Sequence, residues 1–216
     1  MDIEAIIFDF DGVLAESVSV KGDAFVDLYA GEDQEIQAQV RDYHDANCGV
    51  TRFEKITYYE KELCKRNLSD EQIVARCDEF TGIVEQMVVD CAWVPGAKDF
   101  MDKYHGKIPY YVASAAPEEE LRRIVESRGM THYFEVVYGA PGKKYAHIMR
   151  VLSEYGHSPQ RTLMIGDAML DYNAALKAGL HFIGRKLPEN DGVPFPEGTL
   201  VINDLSELEN YIRIIS

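Results

Sequence analysis

The sequence predicts an α/β protein, a parallel sheet with helices wound on both faces and an all-helical segment inserted near its start. Three observations carry this. A hydrophobic run over residues 3–8 passes directly into Asp9-Phe10-Asp11-Gly12-Val13-Leu14, which reads as a buried strand ending in acids. From about Val18 to Asp90 the apolar spacing is helical, over residues 35–46, 53–66 and 70–89. Beyond Pro95-Gly96 strand and helix patterns alternate, as a parallel sheet with crossover helices requires.

Taken in order, Ser69-Asp70-Glu71-Gln72 supplies an N-cap with acids in the first turn. After a helix ending near Tyr104 come a strand from Ile108, a helix over 117–128 and a strand over 134–138. The next helix carries Ile148, Val151, Leu152 and Tyr155 on one face. A strand then begins near Arg161, a helix follows, and short strands lie near Phe182-Ile183 and Leu200-Val201-Ile202. Residues 188–198 form a loop with three prolines, and Leu205, Leu208, Tyr211 and Ile212 mark a packing helix. The domain boundaries read as a core of residues 1–14 and 91–216 around an insert of residues 15–90.

The chemistry-bearing residues fall where strands end. Asp9 and Asp11 share an i, i+2 spacing, and Gly12 lets the chain bend and re-aim them, so the two acids can take different roles. Acidic strand ends also serve as turn or cap residues, which is the plainer use of such a pair. Thr162-Leu163-Met164-Ile165-Gly166-Asp167 again runs apolar residues into an acid, and Asp171 lies four residues on, sharing a face with Asp167 if a helix starts there. Together these carboxylates make an all-oxygen cluster suited to a hard cation such as Mg²⁺ rather than zinc. Ser114 ends the run Tyr110-Tyr111-Val112-Ala113 ahead of Pro117 and three glutamates, a strand-to-helix turn whose hydroxyl and N–H groups can hold phosphate. Lys143-Lys144 precede the next helix, where an ammonium can reach over the sheet edge.

In this order the elements resemble the haloacid dehalogenase-like hydrolase superfamily, whose signatures are DxDG(T/V), a strand-end Ser/Thr, a Lys and GDxxxD. The resemblance covers nearly the whole chain and implies a Rossmann-like core. It implies that Asp9 is the nucleophile forming an aspartyl-phosphate, Asp11 the general acid and base, and Ser114 and a lysine the phosphate holders, with Gly12, Ala115 and Lys143 as substrate-binding positions. Asp167 would ligate Mg²⁺ with Asp9 and the Asp11 carbonyl, and Asp171 would lie near the metal or its waters. The lysine has two alignments. A KPxPD pattern laid on residues 143–147 selects Lys143 and puts His147 where relatives carry Asp, whereas a GSPxxK pattern laid on residues 139–144 selects Lys144, the alignment we favour.

The insertion point resembles the helical-cap branch of phosphoglycolate phosphatase and beta-phosphoglucomutase, which implies a small phosphorylated substrate enclosed by a cap. Within the insert, His44, Gly49, Arg52 and Lys55 cluster around a helix break at residues 48–52. Relatives often carry G-x-x-R there, so Arg52, with His44, is a candidate substrate contact. The alternative is a helix capped by Thr51, with Arg52 and Lys55 solvated beside Glu54.

Composition fits these expectations. With 22 basic and 37 acidic residues the net charge is −15, which disfavours nucleic acid and anionic membranes as partners. Cys48, Cys64, Cys77 and Cys91 show no metal or paired spacing and read as free thiols of a reducing cytoplasm. No signal segment precedes the first strand and no apolar run reaches membrane-spanning length. The expected activity is Mg²⁺-dependent hydrolysis of a small phosphomonoester, by a monomer or homodimer. A phosphomutase shares the motifs; a dehalogenase would not need Asp11, and a phospho-accepting signalling domain would lack the helical insert.

Overall fold

The computed structural model describes residues 2–47, 50–188 and 194–214. The chain divides into two compact units, one of Met1–Glu16 with Ala92–Ser216 and the other of Ser17–Cys91. The first unit opens with β1 (Asp2–Ile3) and β2 (Ala5–Phe8). The second consists of α1 (Val18–Leu28), α2 (Gln34–Ala46), α3 (Arg52–Tyr58) and α4 (Asp70–Asp90). The first then resumes with α5 (Ala97–Tyr104), β3 (Tyr110–Pro117), α6 (Glu118–Ser127), β4 (Phe134–Ala140) and α7 (Lys144–Tyr155). It continues through β5 (Thr162–Gly166), α8 (Met169–Ala178), β6 (His181–Arg185), β7 (Val201–Ile202) and β8 (Arg213–Ile214).

Strands β2 to β7 form one parallel sheet in the order β4-β3-β2-β5-β6-β7. β2 reads Ala-Ile-Ile-Phe without alternation because it lies inside the sheet and both of its faces are covered. On one face Ala5, Ile7, Tyr111, Ala113 and Met164 pack with Ile148, Val151 and Leu152 of α7 and Ala174 and Ala175 of α8. On the other, Phe8 meets Tyr110 edge-on at 5.5 Å, and Tyr110 lies 6.4 Å from the ring of Phe100 on α5. Burial of Ile6, Ile7 and Phe8 stabilises by roughly 1.5–3 kcal/mol each, so the strand that delivers Asp9 is anchored from two sides.

The helical unit has an aromatic core, with Phe25 stacked on Phe80 at 4.0 Å and Tyr59 edge-on to both Phe25 and Tyr29. Ser69 and Gln72 form a reciprocal capping box at the start of α4. No helix among the described residues is long and apolar enough to cross a membrane. Cys64, Cys77 and Cys91 are in no disulfide among the described residues; Cys48 lies outside the described residues, as does part of the proline loop, residues 189–193.

The structure departs from expectation in three places. The single helix expected over residues 53–66 is α-helical only through Tyr58, widens to a π segment at Tyr59–Leu63 and ends before Lys65, whose φ is +55°. Widening accommodates two adjacent buried side chains, Tyr59 and Glu60. The C-terminal packing helix is a 3₁₀ segment, Leu205–Asn210, with Leu205 and Leu208 buried at the i, i+3 spacing that such a turn eclipses. After it the chain pairs as β8 with β1, which removes Tyr211 and Ile212 from any helix. Finally, Ser114 lies inside β3 rather than at its end, at an irregularity where Ala113 pairs with Tyr138 but Pro117 with Ala140.

Candidate active site

Strands β2, β3 and β5 run in register to the level of Phe8, beyond which β3 loses its regular pairing. Phe8 pairs with Val112 on one side and Ile165 on the other, so Asp9, the irregular segment beginning at Ser114, and Asp167 emerge at the same carboxyl edge. Open α/β sheets hold ligands there. The irregularity in β3 puts four residues against two of β4, which re-aims Ser114 and Ala115 away from the regular ladder. Ser114 is buried and its Oγ accepts the Ala116 N–H at 3.1 Å, while Ala115 is exposed.

Asp9 is fixed from its own backbone. The Phe10 N–H donates to its Oδ1 at 2.7 Å, and its own N–H donates to the Ile165 carbonyl at 2.9 Å. Gly12 then adopts φ +68°, a left-handed conformation that lets the chain fold back, and its N–H reaches the Ala15 carbonyl at 2.9 Å. The result separates the environments of the two acids: Asp9 is buried, whereas Asp11 is partly exposed. At the end of β5, Gly166 permits a close approach. A Cβ there would lie 2.3 Å from Cβ of Asp171, so only glycine allows α8 to bring Asp171 against the strand.

Asp171 has no solvent exposure, and its Oδ2 accepts the Ala168 N–H at 3.2 Å. Lys144, at the start of α7, donates to Asp9 Oδ2 at 2.5 Å and also to Asp171 Oδ1. Lys143 is exposed, so of the two adjacent lysines it is Lys144 that meets the acids. Carboxylate oxygens of Asp9, Asp167 and Asp171 all lie within 4.8 Å of one another. Burial first, and then the charges of Asp9 and Asp171, hold the Asp167 carboxyl well above the usual range. Burial and Asp9 likewise push Asp171 up, to about 7, against the opposing pull of Lys144. Burial alone would lower Lys144, but Asp9 and Asp171 outweigh it and keep the ammonium charged.

Three carboxyl groups beside one ammonium cannot all ionise in a low-dielectric place without further positive charge, and the raised Asp167 and Asp171 hold protons for that reason. A hard divalent cation would supply that charge and fits that all-oxygen donor set.

Sequence reasoning missed the supports of the lysine loop. Glu118 Oε2 accepts the Gly139 N–H at 3.0 Å, and the Nε2 of His147, a buried ring stacked on Tyr138, lies 3.0 Å from the Gly139 carbonyl oxygen. The signal was the position of His147 one turn after Lys144.

The remaining candidates belong to the helical unit. Arg52 donates from Nη1 to Thr81 Oγ1 at 2.5 Å and lies 5.2 Å over the Phe80 ring. Thr51 and Glu54 form a capping box, as the alternative reading of this segment expects. That reading also had Lys55 solvated, which the structure corrects: Lys55 is buried, its Nζ 3.1 Å from His44 Nδ1 and 5.6 Å over the Phe25 ring, because its stem faces the aromatic core. Burial and then the Lys55 charge depress His44 to about 4, leaving it neutral. Gly49 lies outside the described residues.

The sequence profile of the haloacid dehalogenase-like hydrolases matches residues 6–185. No curated protein matches the chain. Among solved structures, a candidate beta-phosphoglucomutase from Thermotoga maritima is 22% identical with a TM-score of 0.78, covering 96% of this chain and 97% of its own. A predicted phosphoglycolate phosphatase from Haemophilus somnus is 16% identical with a TM-score of 0.76, over 97% and 98%. CbbY from Rhodobacter sphaeroides, in complex with phosphate, is 22% identical with a TM-score of 0.71, over 95% and 96%. At these identities the likeness is one of fold: a mostly parallel sheet flanked by helices, a Rossmann-like core.

Proposed function

The chain belongs to the haloacid dehalogenase-like hydrolase family, and from that premise we propose that it is a Mg²⁺-dependent phosphatase acting on a small phosphomonoester through an aspartyl-phosphate on Asp9. The observation that carries this is the carboxyl surplus at the strand ends, where among the described residues Asp9, Asp167 and Asp171 cluster and Lys144 bonds two of them. A cation held by Asp9 and Asp167, with the Asp11 carbonyl and Asp171 nearby, would neutralise repulsion between the carboxylates and an incoming phosphate.

In the first half-reaction a carboxylate oxygen of Asp9 attacks phosphorus in line, the bond to the leaving oxygen breaks, and Asp11 gives its proton to that oxygen. Asp11, now ionised, takes a proton from water, the water oxygen attacks the same phosphorus, and the bond to Asp9 breaks to release phosphate. The buried Asp9 is held by the Phe10 N–H for attack, whereas the partly exposed Asp11 can reach water. Lys144, the Ser114 hydroxyl and N–H groups of the Ser114–Ala115 segment would balance charge on the transferring group, with Gly12 giving its backbone close approach and Lys143 adding positive charge at the rim. We read the Ser17–Cys91 unit as the cap that selects the substrate, with Arg52 and His44 as its candidate contacts.

The test is a panel of phosphorylated metabolites, assayed for released phosphate with Mg²⁺ and with chelator. Mg²⁺-dependent release with one preferred substrate is expected. Undiminished turnover in chelator would overturn the assignment, and a phosphorylated isomer as the sole product would make the protein a mutase.

A further inference from the structure

Arg185 ends β6 and is 1% exposed, among the largest fully buried side chains of the protein. A charged group is retained at such a place only when its donors are met. Here they are met by one loop and its neighbour. Nη1 donates to the Gly12 carbonyl at 2.9 Å and to Glu16 Oε2 at 2.8 Å, Nη2 to Glu16 Oε1 at 2.6 Å, and Nε to the Asn203 carbonyl at 3.2 Å. The guanidinium therefore grips both ends of the loop over residues 12–16 from a strand paired on both sides, to β5 and to β7.

That loop begins directly after Asp11. Its backbone closes on itself through the Gly12 N–H to the Ala15 carbonyl, and the Ala15 and Leu14 N–H groups to the Phe10 carbonyl. Its outer end is tied by the Glu16 N–H to the Ala92 carbonyl at 2.9 Å, at the junction where the chain leaves for the helical unit and returns. Asp9 has its own anchor in the Phe10 N–H and in Lys144. Asp11 is partly exposed, and its backbone bridges to Ala15 within the loop.

We infer that Arg185 is a positioning residue for Asp11, acting through the Gly12 carbonyl and the Glu16 carboxylate, and that it weighs chiefly on the acid–base steps and far less on the attack by Asp9, whose own anchors are the Phe10 N–H and Lys144. This rests on the phosphatase reading above. A lysine cannot replace the fork, since one ammonium cannot satisfy a bidentate carboxylate, the Gly12 carbonyl and the Asn203 carbonyl in a fixed plane.

The experiment compares wild type and Arg185→Lys by rapid mixing with an aryl phosphate whose phenolate leaves without needing a proton. The burst of phenolate release reports formation of the aspartyl-phosphate, and the steady state reports its hydrolysis. For Arg185→Lys the burst rate should stay within about twofold, while steady-state turnover falls roughly ten- to a hundredfold, the cost of a small misplacement of a reacting group. On an alkyl phosphate, which needs the proton, kcat should fall by at least as much with KM little changed. Equal loss in burst and steady state, or no loss in either, overturns the inference. If wild type itself releases no phosphate with Mg²⁺, the phosphatase reading falls first, and this inference with it. Should Arg185→Lys lose its cooperative melting transition, Glu16→Gln carries the test: it keeps the bond to Gly12, and the same split is expected at about two- to tenfold. Its absence there overturns the inference as well.

Discussion

Each unit buries a cluster of charges, and the two clusters differ in balance. In the helical unit Glu60 is 1% exposed and receives Tyr29 Oη at 2.9 Å, Arg66 Nε at 2.6 Å and Arg76 Nε at 3.3 Å. The two guanidiniums have further donors met as well, Arg66 Nη1 by Glu32 at 2.7 Å, Arg76 Nη1 by Glu79 at 2.5 Å and Arg76 Nη2 by the Leu28 carbonyl at 3.1 Å, so each charge in the cluster has an opposite partner. In the core unit three carboxylates face one ammonium. Burial of charge alone therefore does not distinguish the two clusters, whereas unmet charge does. A satisfied cluster gains nothing from a ligand; a deficient one has differential affinity for a cation.

The largest effect that can break this comparison comes from Asp9→Asn. Removing the nucleophile should lower Mg²⁺-dependent phosphate release by roughly 10³-fold or more, while the cooperative thermal transition is retained. Residual activity near that of wild type would remove Asp9 from the reaction. Glu60→Ala tests the other side. It removes the acceptor that Tyr29, Arg66 and Arg76 share and leaves the buried Tyr29 hydroxyl without it, so the helical unit should lose about 2 kcal/mol by denaturant unfolding. The expected kinetic result is the reverse of Asp9→Asn: turnover per folded molecule in the cold changes little. A large loss of turnover in fully folded Glu60→Ala would show that the balanced cluster is functional after all.

Arg52→Ala gives a smaller effect and sharpens the role of the helical unit. If Arg52 holds the non-reacting end of the substrate, kcat/KM on the preferred metabolite should fall roughly ten- to a hundredfold. Hydrolysis of a small aryl phosphate should scarcely change. Equal loss on both substrates points instead to the bond with Thr81 and the stacking on Phe80 as structural ties of α3 to α4.

Much of the core was legible because its strands are short apolar runs ending in Gly or Asp: residues 3–8 before Asp9, and Leu163-Met164-Ile165 before Gly166-Asp167. Local rules also reached the caps at Ser69 and Thr51. What escaped depends on partners distant in sequence. Arg185 meets Glu16 and Gly12 across 169 and 173 positions, and β8 pairs with β1 across nearly the whole chain. No periodicity encodes such pairings. The π segment escaped for a different reason, since the need to bury both Tyr59 and Glu60 is set by Phe25, Tyr29, Arg66 and Arg76 around them. The resemblance to a GSPxxK pattern favours Lys144 over Lys143, and the packing of α7 against the strand ends supplies the physical reason that sequence could not, turning Lys144 inward and leaving Lys143 exposed.

The smallest effect separates the units by the sign of their pH dependence. Asp171 has its carboxyl raised to about 7, so between the ordinary carboxylate pKa of about 4 and that value the unfolded chain binds fewer protons than the folded one. Core stability contributed by this group is present at low pH and is lost as pH rises through that window. His44 behaves oppositely. Its pKa is depressed to about 4 from the usual value near 6.5, so the folded unit binds fewer protons there and gains stability as pH rises through that range. Because His44 is partly exposed, its effect is discounted to about 1 kcal/mol over the window. Amide hydrogen exchange between pH 4.5 and 6.5, corrected for intrinsic rates, should therefore show protection rising in α2 and α3 while it falls in β2 and β5. Saturating Mg²⁺ should flatten or reverse the slope of β2 and β5, because a cation that needs ionised carboxylates binds more strongly as pH rises, and should leave α2 and α3 unmoved. If Mg²⁺ shifts neither set of amides, the carboxylate surplus at the strand ends does not draw a cation, and the contrast between the two clusters loses its functional meaning.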